Sequence, residues 1–229
     1  MKRKSYLLLA ALIAFTIFLM IPVLPERLHP HDFSSIQICD RNGELLREVL
    51  SLDYKTSVWM PLERISPWII WATIIQEDKG FLFHRGVDLG ALVRATYHNI
   101  RRGRVISGGS TITMQVAKMV LNTRSRSIAF KILEMIYALK LELYLSKQEI
   151  LEIYLNRVPY GNQTYGIEAA ARLYFRKSAD HLSLSESCTL AAIPKAPSVL
   201  NPYRGETALR RVRDLLLRRQ LPQPRRLGQ

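Results

Sequence analysis

Residues 77–88 read E-D-K-G-F-L-F-H-R-G-V-D and follow an apolar run, I-I-W-A-T-I-I, at residues 69–75. A carboxylate at the end of an apolar helix is shielded from water, which raises its pKa and suits it to proton transfer. If the helix continues, Glu77 and His84 lie two turns apart on one face. An ordinary helix end with solvated acids is the alternative, and a Glu-Asp pair alone would favour it.

The composition predicts one domain with an anionic partner. The 229 residues are 48% hydrophobic, enough for one substantial core. Lys and Arg number 33 against 19 Asp and Glu, so the formal net charge is +14. Such a charge fits nucleic acid, phospholipid headgroups or a phosphorylated substrate. Composition does not choose among these three.

The N-terminus predicts a membrane anchor. A basic segment at residues 1–5 precedes an uncharged run, and we place a transmembrane helix at 6–24 and a linker at 25–35. A cleaved signal peptide is the alternative, but the apolar run exceeds the usual ~7–15 residues and no small-residue cleavage site follows. The basic segment places the N-terminus in the cytoplasm and the rest of the chain outside. Nucleic acid is therefore not expected as the partner.

The remaining pattern is mainly helical. Residues 36–39 and 45–49 flank Asn42-Gly43, which predicts a β-hairpin. The periodicity predicts helices near 67–79, 87–101, 111–121, 127–145, 147–156, 164–174 and 185–193. Residues 206–229 form a basic C-terminal tail. Its pattern fits either a short amphipathic helix near a membrane or a solvated terminus.

A glycine-rich segment at residues 108–118, G-G-S-T-I-T-M-Q-V-A-K, predicts a second functional element. Either Ser110 or Thr111 can cap the helix that begins there. Exposed amides at that helix start, with Lys118 about two turns later, could bind phosphate oxygens. A glycine turn before an ordinary helix is the alternative.

The helix predicted at 128–145 is apolar nearly all round, which predicts burial in the core. Lys131, Glu134 and Glu142 fall within roughly an 80° arc of this helix, whereas Lys140 points the opposite way. A narrow polar stripe on a core helix is typical of a cleft wall. A surface ion pair between Lys131 and Glu134 is the alternative.

Five segments in this order resemble the signatures of the bacterial peptidoglycan glycosyltransferases, the family of the glycosyltransferase domain in class A penicillin-binding proteins. The first three are the stretches above, the fourth is K-Q-E-I-L-E-I-Y-L-N at 147–156, and the fifth is L-A-A-I-P-K-A-P at 190–197. The resemblance spans about residues 36–204. The chain departs from the pattern at Phe130, where the family usually has Arg, and Gly80 is also unusual. Met114, where many members have Gln, resembles the penicillin-binding protein 1C subtype.

The resemblance implies a mainly α, lysozyme-like two-lobed glycosyltransferase domain over residues 36–205. It implies transfer of a lipid-pyrophosphate-linked glycan chain to the 4-hydroxyl of lipid II with inversion, with Glu77 as the base and Glu134 as the second catalytic carboxylate. Mg²⁺ or Mn²⁺ at Glu77 and Asp78 is a further implication. The implied substrate-binding residues are Asp78, Phe81, His84, Ser110, Thr111, Gln115, Lys118, Arg126, Lys131 and Glu152.

The implied partners are lipid II, the growing lipid-linked glycan, the membrane bilayer and other cell-wall synthesis or division proteins, without nucleic acid. The implied location is the bacterial cytoplasmic membrane, with the catalytic domain on the periplasmic face. No Ser is followed by Lys at the third position, so we expect a monofunctional form or a truncated bifunctional relative. A lysozyme-like lytic enzyme and a non-catalytic cell-wall scaffold remain alternatives.

Overall fold

The chain folds into a mainly helical domain, seen here in a computed structural model that describes residues 16, 28, 36–41, 45–49, 56–103, 108–122, 127–203 and 205–219. The α-helices that the structure describes from end to end are α1 (Pro67–Glu77), α2 (Leu89–Arg102), α3 (Ile112–Leu121), α4 (Ile128–Tyr144), α5 (Lys147–Arg157), α6 (Ile167–Phe175), α7 (Leu184–Ala192) and α8 (Glu206–Arg218). The predicted helical pattern is confirmed, since the seven predicted helices all form within a few residues of their expected ends.

Two small sheets complete the fold. The predicted hairpin is confirmed: β1 (Ile36–Cys39) pairs antiparallel with β2 (Leu45–Val49), with an irregularity at the end of β1. In the second sheet, β5 (Thr164–Tyr165) lies between a parallel β3 (Thr56–Ser57) and an antiparallel β4 (Pro159–Gly161). In the sequence, β4 and β5 lie between α5 and α6, whereas β3 precedes α1. The sheet therefore joins segments that are far apart in the chain.

Helix α5 lies at the centre of the core. Its residues from Ile150 to Arg157 are buried apart from Glu152. Helix α3 packs between α4 and α5, while α1 packs along α7, which also contacts α8. The side chain of Asn156 accepts from the amide of Met60 at 2.7 Å and donates to its carbonyl at 2.8 Å. These bonds fix the segment after β3 against α5.

Local capping explains where the helices start. Thr111 caps α3, so the second of the two candidate residues is the cap, and Ser127 caps α4. The capping box expected from the residue pattern at the start of α5 forms between Ser146 and Glu149. Each cap satisfies amides that a helix start leaves without an internal partner.

The prediction that helix α4 is buried on all sides is wrong. Ile128 is 81% exposed and Leu143 is 64% exposed, because α3 and α5 cover only the opposite side of this helix. Helix α2 likewise exposes an apolar face, formed by residues three or four positions apart, and Phe83 before it is 90% exposed. The exposed residues on α2 are Leu89, Val93, Tyr97 and Ile100.

The predicted anchor and the predicted basic tail lie at opposite ends of the chain. The predicted anchor at 6–24 lies outside the described residues apart from Thr16, and within the described ranges no helix is both long and apolar enough to cross a bilayer. At the other end, most of the segment expected as a basic tail forms α8. Leu209 and Leu216 of α8 are buried, so this helix is part of the core.

Candidate active site

Glu77 is the last residue of α1 and lies in a largely apolar environment. Its Oε2 atom accepts a hydrogen bond from Nε2 of Gln115 on α3 at 2.9 Å. Burial raises the pKa of Glu77, and the charge on Asp78 adds to the rise. The hydrogen bond from Gln115 and the charge on Lys195 act in the opposite direction without cancelling it. Glu77 therefore combines a raised pKa with partial burial, the properties expected of a general base.

Asp78 follows Glu77 but has a different environment. Both of its carboxylate oxygens lie within 3.0 Å of Nε2 of His84, and Oδ2 also accepts from the amide of Ile112 at 3.0 Å. Asp78 is buried. Its side chain therefore ties the end of α1 to the loop after it and to the start of α3.

The loop at residues 79–88 does not continue α1, so Glu77 and His84 do not share a helical face. The helix ends at Glu77, and His84 instead turns back to Asp78. Gly86 adopts a φ of +82°, and a Cβ atom there would lie 2.8 Å from the carbonyl oxygen of Ala138 on α4. Glycine at this position lets the loop lie directly against α4.

Phe81 and Lys147 stabilise this loop through contacts on its buried side. The Phe81 ring is fully buried, and Nζ of Lys147 lies 4.6 Å from its centroid. Lys147 also donates to the carbonyl of His84 at 2.6 Å and to Glu142, which accepts from Thr113 as well. Phe81 and His84 therefore shape the loop, and Lys147 and Glu142 are two positions that sequence reasoning did not assign to it.

Glu134 provides a further buried carboxylate, on α4. It is only 5% exposed, and its Oε2 atom accepts from Nζ of Lys131 at 2.8 Å. The same ammonium group donates to Oγ of Ser110 at 2.6 Å. The pair is thus partly buried and links α4 to the glycine-rich segment, unlike a surface ion pair.

The glycine-rich segment packs against the loop at residues 79–88 and against helix α2. Thr111 donates to the carbonyl of Gly86, which fixes the segment against the loop. A Cβ atom on Gly109 would lie 2.8 Å from Cα of Leu92, so this glycine permits the close approach of α2. Lys118 is exposed on α3. Ser110, Thr111 and Gln115 therefore all contact residues of the other signatures.

One predicted site residue, Glu152, is not brought into this cluster. The carboxylate of Glu152 accepts from Nε1 of Trp59 at 3.0 Å and from the amide of Leu62 at 2.8 Å, so it is used within the fold. Arg126 lies outside the described residues. Lys195, in contrast, was not predicted although it stands in the fifth signature, and its charge acts on Glu77.

The donor set at Glu77 and Asp78 does not fit a divalent cation. Both oxygens of Asp78 face His84 and one oxygen of Glu77 faces Gln115, which leaves Oε1 of Glu77 as the free ligand atom. A Mg²⁺ site uses near-octahedral oxygen coordination. Across the described part of the chain, no group of three or more His, Cys, Asp or Glu side chains is arranged so that it could hold a metal ion. Mg²⁺ or Mn²⁺ at Glu77 and Asp78 therefore stays an untested prediction that these contacts do not favour.

The sequence of this chain is similar to those of known proteins. The chain is 41% identical over 186 residues to penicillin-binding protein 1A of Aquifex aeolicus, covering 81% of this chain and 25% of that protein. It is 45% identical over 152 residues to penicillin-binding protein 1A of Pseudomonas aeruginosa, covering 66% of this chain and 18% of that protein. The chain thus spans a quarter or less of the length of these relatives.

Two further comparisons concern the structure and the family. A crystal structure of penicillin-binding protein 1A from Haemophilus influenzae matches 82% of this chain and 18% of that chain, at 24% identity and a TM-score of 0.42, a likeness too low to argue from. Residues 42–220 match the family described as Transglycosylase, and this range takes in the strand β2, the helices α1 to α8 and the carboxylates of Glu77 and Glu134. The chain belongs to the transglycosylase family.

Proposed function

We propose that this protein is a membrane-associated glycan-chain polymerase of peptidoglycan synthesis. In the proposed reaction, the 4-hydroxyl of lipid II attacks the anomeric carbon of a lipid-pyrophosphate-linked glycan. The new bond forms from the acceptor oxygen to that carbon with inversion, while the bond from the carbon to the pyrophosphate oxygen breaks. The electron pair of the broken bond leaves with polyprenyl pyrophosphate, and the hydroxyl proton goes to a base.

Glu77 is the proposed base, and its environment is the observation that carries the proposal. The carboxylate is held at one oxygen by Gln115, an uncharged donor, and burial raises its pKa. A raised pKa strengthens the carboxylate as a base for a sugar hydroxyl, and a fixed position reduces the entropy lost on reaching the transition state.

Glu134 and its cationic neighbour are proposed to act at the pyrophosphate side. Lys131 is held by Glu134 and Ser110, so its ammonium group has a fixed position before substrate arrives. A cation held in this way can stabilise the charge that develops on a leaving pyrophosphate. Lys118 and Arg126 are proposed to contribute further positive charge, in keeping with the net charge of +14. Glu134 would orient Lys131 and assist departure.

A membrane location is proposed from the exposed apolar surface. Phe83 and the exposed face of α2 present large apolar side chains, and the outer side of α4 adds Ile128 and Leu143. Contiguous exposed apolar surface is typical of a site that binds a membrane or a protein. Together with the anchor predicted at 6–24, it supports a place on the periplasmic face of the cytoplasmic membrane, where lipid-linked substrates lie.

The finer features of the family resemblance are proposals of the same kind. They comprise the lysozyme-like two-lobed arrangement, the 1C subtype suggested by Met114, the monofunctional form, and contacts with other cell-wall synthesis or division proteins. The relatives reported above carry the name 1A, so the subtype rests on Met114 alone.

A product assay tests the proposed function. Purified protein is incubated separately with lipid II and with isolated glycan strands. The proposal expects polymer and released polyprenyl pyrophosphate from lipid II, and no shortening of the strands. Shortened strands would favour a lytic enzyme, and absence of turnover on both substrates would favour a scaffold.

A further inference from the structure

An open pocket lies between the loop at residues 79–88 and the C-terminal half of α4. Its volume is about 540 Å³, within the ~300–1,000 Å³ typical of small-molecule sites. Neither Glu77 nor Glu134 lines it, although Leu143 of α4 does. At about 100° per residue, Leu143 and Glu134 lie on opposite sides of α4. The pocket therefore opens away from the carboxylate that holds Lys131.

Apolar side chains form two walls of this pocket. The loop contributes Leu82 and Phe83, and α4 contributes Leu139 and Leu143, which lie one turn apart on the same face of the helix. All four side chains are exposed to solvent, from 37% for Leu82 to 90% for Phe83. Large apolar side chains grouped at the surface are typical of a site that binds an apolar partner. The two walls therefore fit a hydrocarbon chain.

The charged side chains of the pocket differ in whether the protein already pairs them. Lys147 and Glu142 form an ion pair at 2.5 Å, and Lys147 also donates to the carbonyl of His84. Arg85 also lines the pocket but is exposed, and none of the described residues forms an ion pair or a hydrogen bond with its side chain. A free guanidinium group can bind a phosphate through two parallel hydrogen bonds. Arg85 thus supplies an available cation beside the apolar walls.

We propose that this pocket binds an anionic phospholipid, with the phosphate at Arg85 and one acyl chain between the loop and α4. The inference rests on the proposed membrane location, and it adds a lipid that is neither donor nor acceptor in the reaction. A lipid-linked substrate fits less well, because its pyrophosphate must lie at the reacting carbon, whereas neither Glu77 nor Glu134 lines the pocket. A zwitterionic lipid fits less well too, since its cationic group adds to the positive charge of Arg85 and of the chain.

A phospholipid at this pocket would fix how the domain lies on the bilayer. Phe83 and Arg85 belong to the loop that directly follows Glu77, so a lipid bound there brings this loop to the bilayer surface. The exposed ring of Phe83 would then lie among acyl chains, and the guanidinium of Arg85 would lie at the level of the phosphates. The end of α1 would therefore lie close to the plane that holds lipid-linked substrates.

Native mass spectrometry of the full chain tests this proposal by counting the lipids that each molecule retains. The chain is purified in detergent with equal amounts of phosphatidylglycerol, which is anionic, and phosphatidylcholine, which is zwitterionic. We expect one retained phosphatidylglycerol per chain, in about tenfold excess over phosphatidylcholine, the scale of one charge-assisted hydrogen bond. Excess glycerol 3-phosphate should not displace it, because that molecule has no acyl chain to fill the apolar walls. Displacement by glycerol 3-phosphate, or retention of both lipids in equal amounts, would overturn the proposal.

Four exposed positions supply the variants and their matched controls. Arg85→Gln should lower the ratio of phosphatidylglycerol to phosphatidylcholine from about ten to about one, and Leu143→Ser should lower the retention of both lipids by about fivefold or more. The controls are Arg211→Gln and Leu215→Ser on α8, where Leu215 is 57% exposed and Leu143 is 64% exposed. Both controls should keep the wild-type ratio and retention. A wild-type ratio in Arg85→Gln, or an equal loss in Leu143→Ser and Leu215→Ser, would overturn the proposal.

The lipid count needs no lipid II, so its outcome is distinguishable from that of the proposed function. A chain that retains phosphatidylglycerol through Arg85 but makes no polymer would support the pocket and contradict the proposed reaction. A chain that makes polymer but shows no preference for phosphatidylglycerol would contradict the pocket alone. Surface substitutions of this kind usually change stability little, and circular dichroism of each variant checks that it is folded. If Arg85→Gln does not fold, full retention of both lipids by Leu143→Ser overturns the proposal.

Discussion

The two carboxylates proposed to take part in the reaction, Glu77 and Glu134, have opposite surroundings. Glu77 lies at the end of an apolar helix with an uncharged amide as its partner, and burial raises its pKa. Glu134 is at least as buried, but it is paired with the ammonium group of Lys131 at 2.8 Å. Burial alone therefore does not assign a role. We expect the charge of the partner to separate their roles, with Glu77 accepting a proton and Glu134 holding a cation in place.

Removing the charge of Glu134 should reduce the turnover of lipid II more than the other changes around Lys131. Glu134→Gln leaves Lys131 without its anionic partner, so the cation loses its fixed position at the proposed pyrophosphate site. We expect the turnover of lipid II to fall by about a hundredfold, the scale reported for the loss of one preorganised charge-stabilising group. Glu152→Gln is the control, since that carboxylate is used by Trp59 and Leu62. A similar loss in both variants would show an effect of folding.

Lys118 tests whether the charge near the glycine-rich segment binds phosphate. Lys118→Ala should weaken binding of moenomycin, a phosphoglycolipid that resembles the donor, by about ten- to a hundredfold, since a charge-assisted hydrogen bond contributes about 1.5–3 kcal/mol. Arg211→Ala removes an equally exposed charge on α8 and should change binding little. If both variants lose the same small amount of moenomycin affinity, and added salt abolishes that loss, Lys118 is only a surface charge.

The Lys131–Glu134 pair can also be tested through stability. Lys131→Met leaves Glu134 buried without its cation, and we expect the free energy of unfolding to fall by about 1–3 kcal/mol. Lys177→Met is a matched control, because the side chain of Lys177 is 37% exposed, as is that of Lys131, but its partner Glu186 is more accessible to solvent than Glu134. That variant should lose about 0–1 kcal/mol. Urea denaturation of both variants measures the difference, and equal losses would mean that burial of Glu134 does not matter.

Glu77 should show the reverse behaviour. Because its pKa is higher in the folded than in the unfolded state, the ionised group lowers stability once the pH exceeds the unfolded value of about 4.5. Glu77→Gln should therefore increase the free energy of unfolding at neutral pH, and the gain should disappear as the pH falls below 4.5. Thermal unfolding at pH 4 and pH 7 measures it. A gain that is equal at both pH values would contradict a raised pKa.

The sequence predicted the helices and their caps because these depend on local residues. Helix α5, for example, starts at the capping box of Ser146 and Glu149, as its pattern indicates. The approach of Glu77 and Gln115 on different helices could be anticipated only through the family resemblance, since it depends on packing 38 residues apart in the chain. The effect of Lys195 on Glu77 was missed for the same reason.

Two other expectations failed for physical reasons. The apolar character of α4 predicted burial, but a helix that is apolar all round can also expose one side to a membrane or partner, and periodicity does not separate these cases. The pairing of Glu77 with His84 assumed a continuous helix. The helix instead stops at Glu77, since Asp78 bonds the amide of Ile112 and the ring of His84.

Whether Glu77 is the base of a glycan-polymerising reaction can be tested by the rate at which the Glu77→Gln variant polymerises lipid II. Glutamine fills the same space and can still bond Gln115, but it cannot accept the proton. We expect a folded variant whose rate falls by about 10²–10⁴-fold, the usual contribution of a general base, at every pH measured. A folded Glu77→Gln variant that polymerises lipid II at the wild-type rate would contradict it.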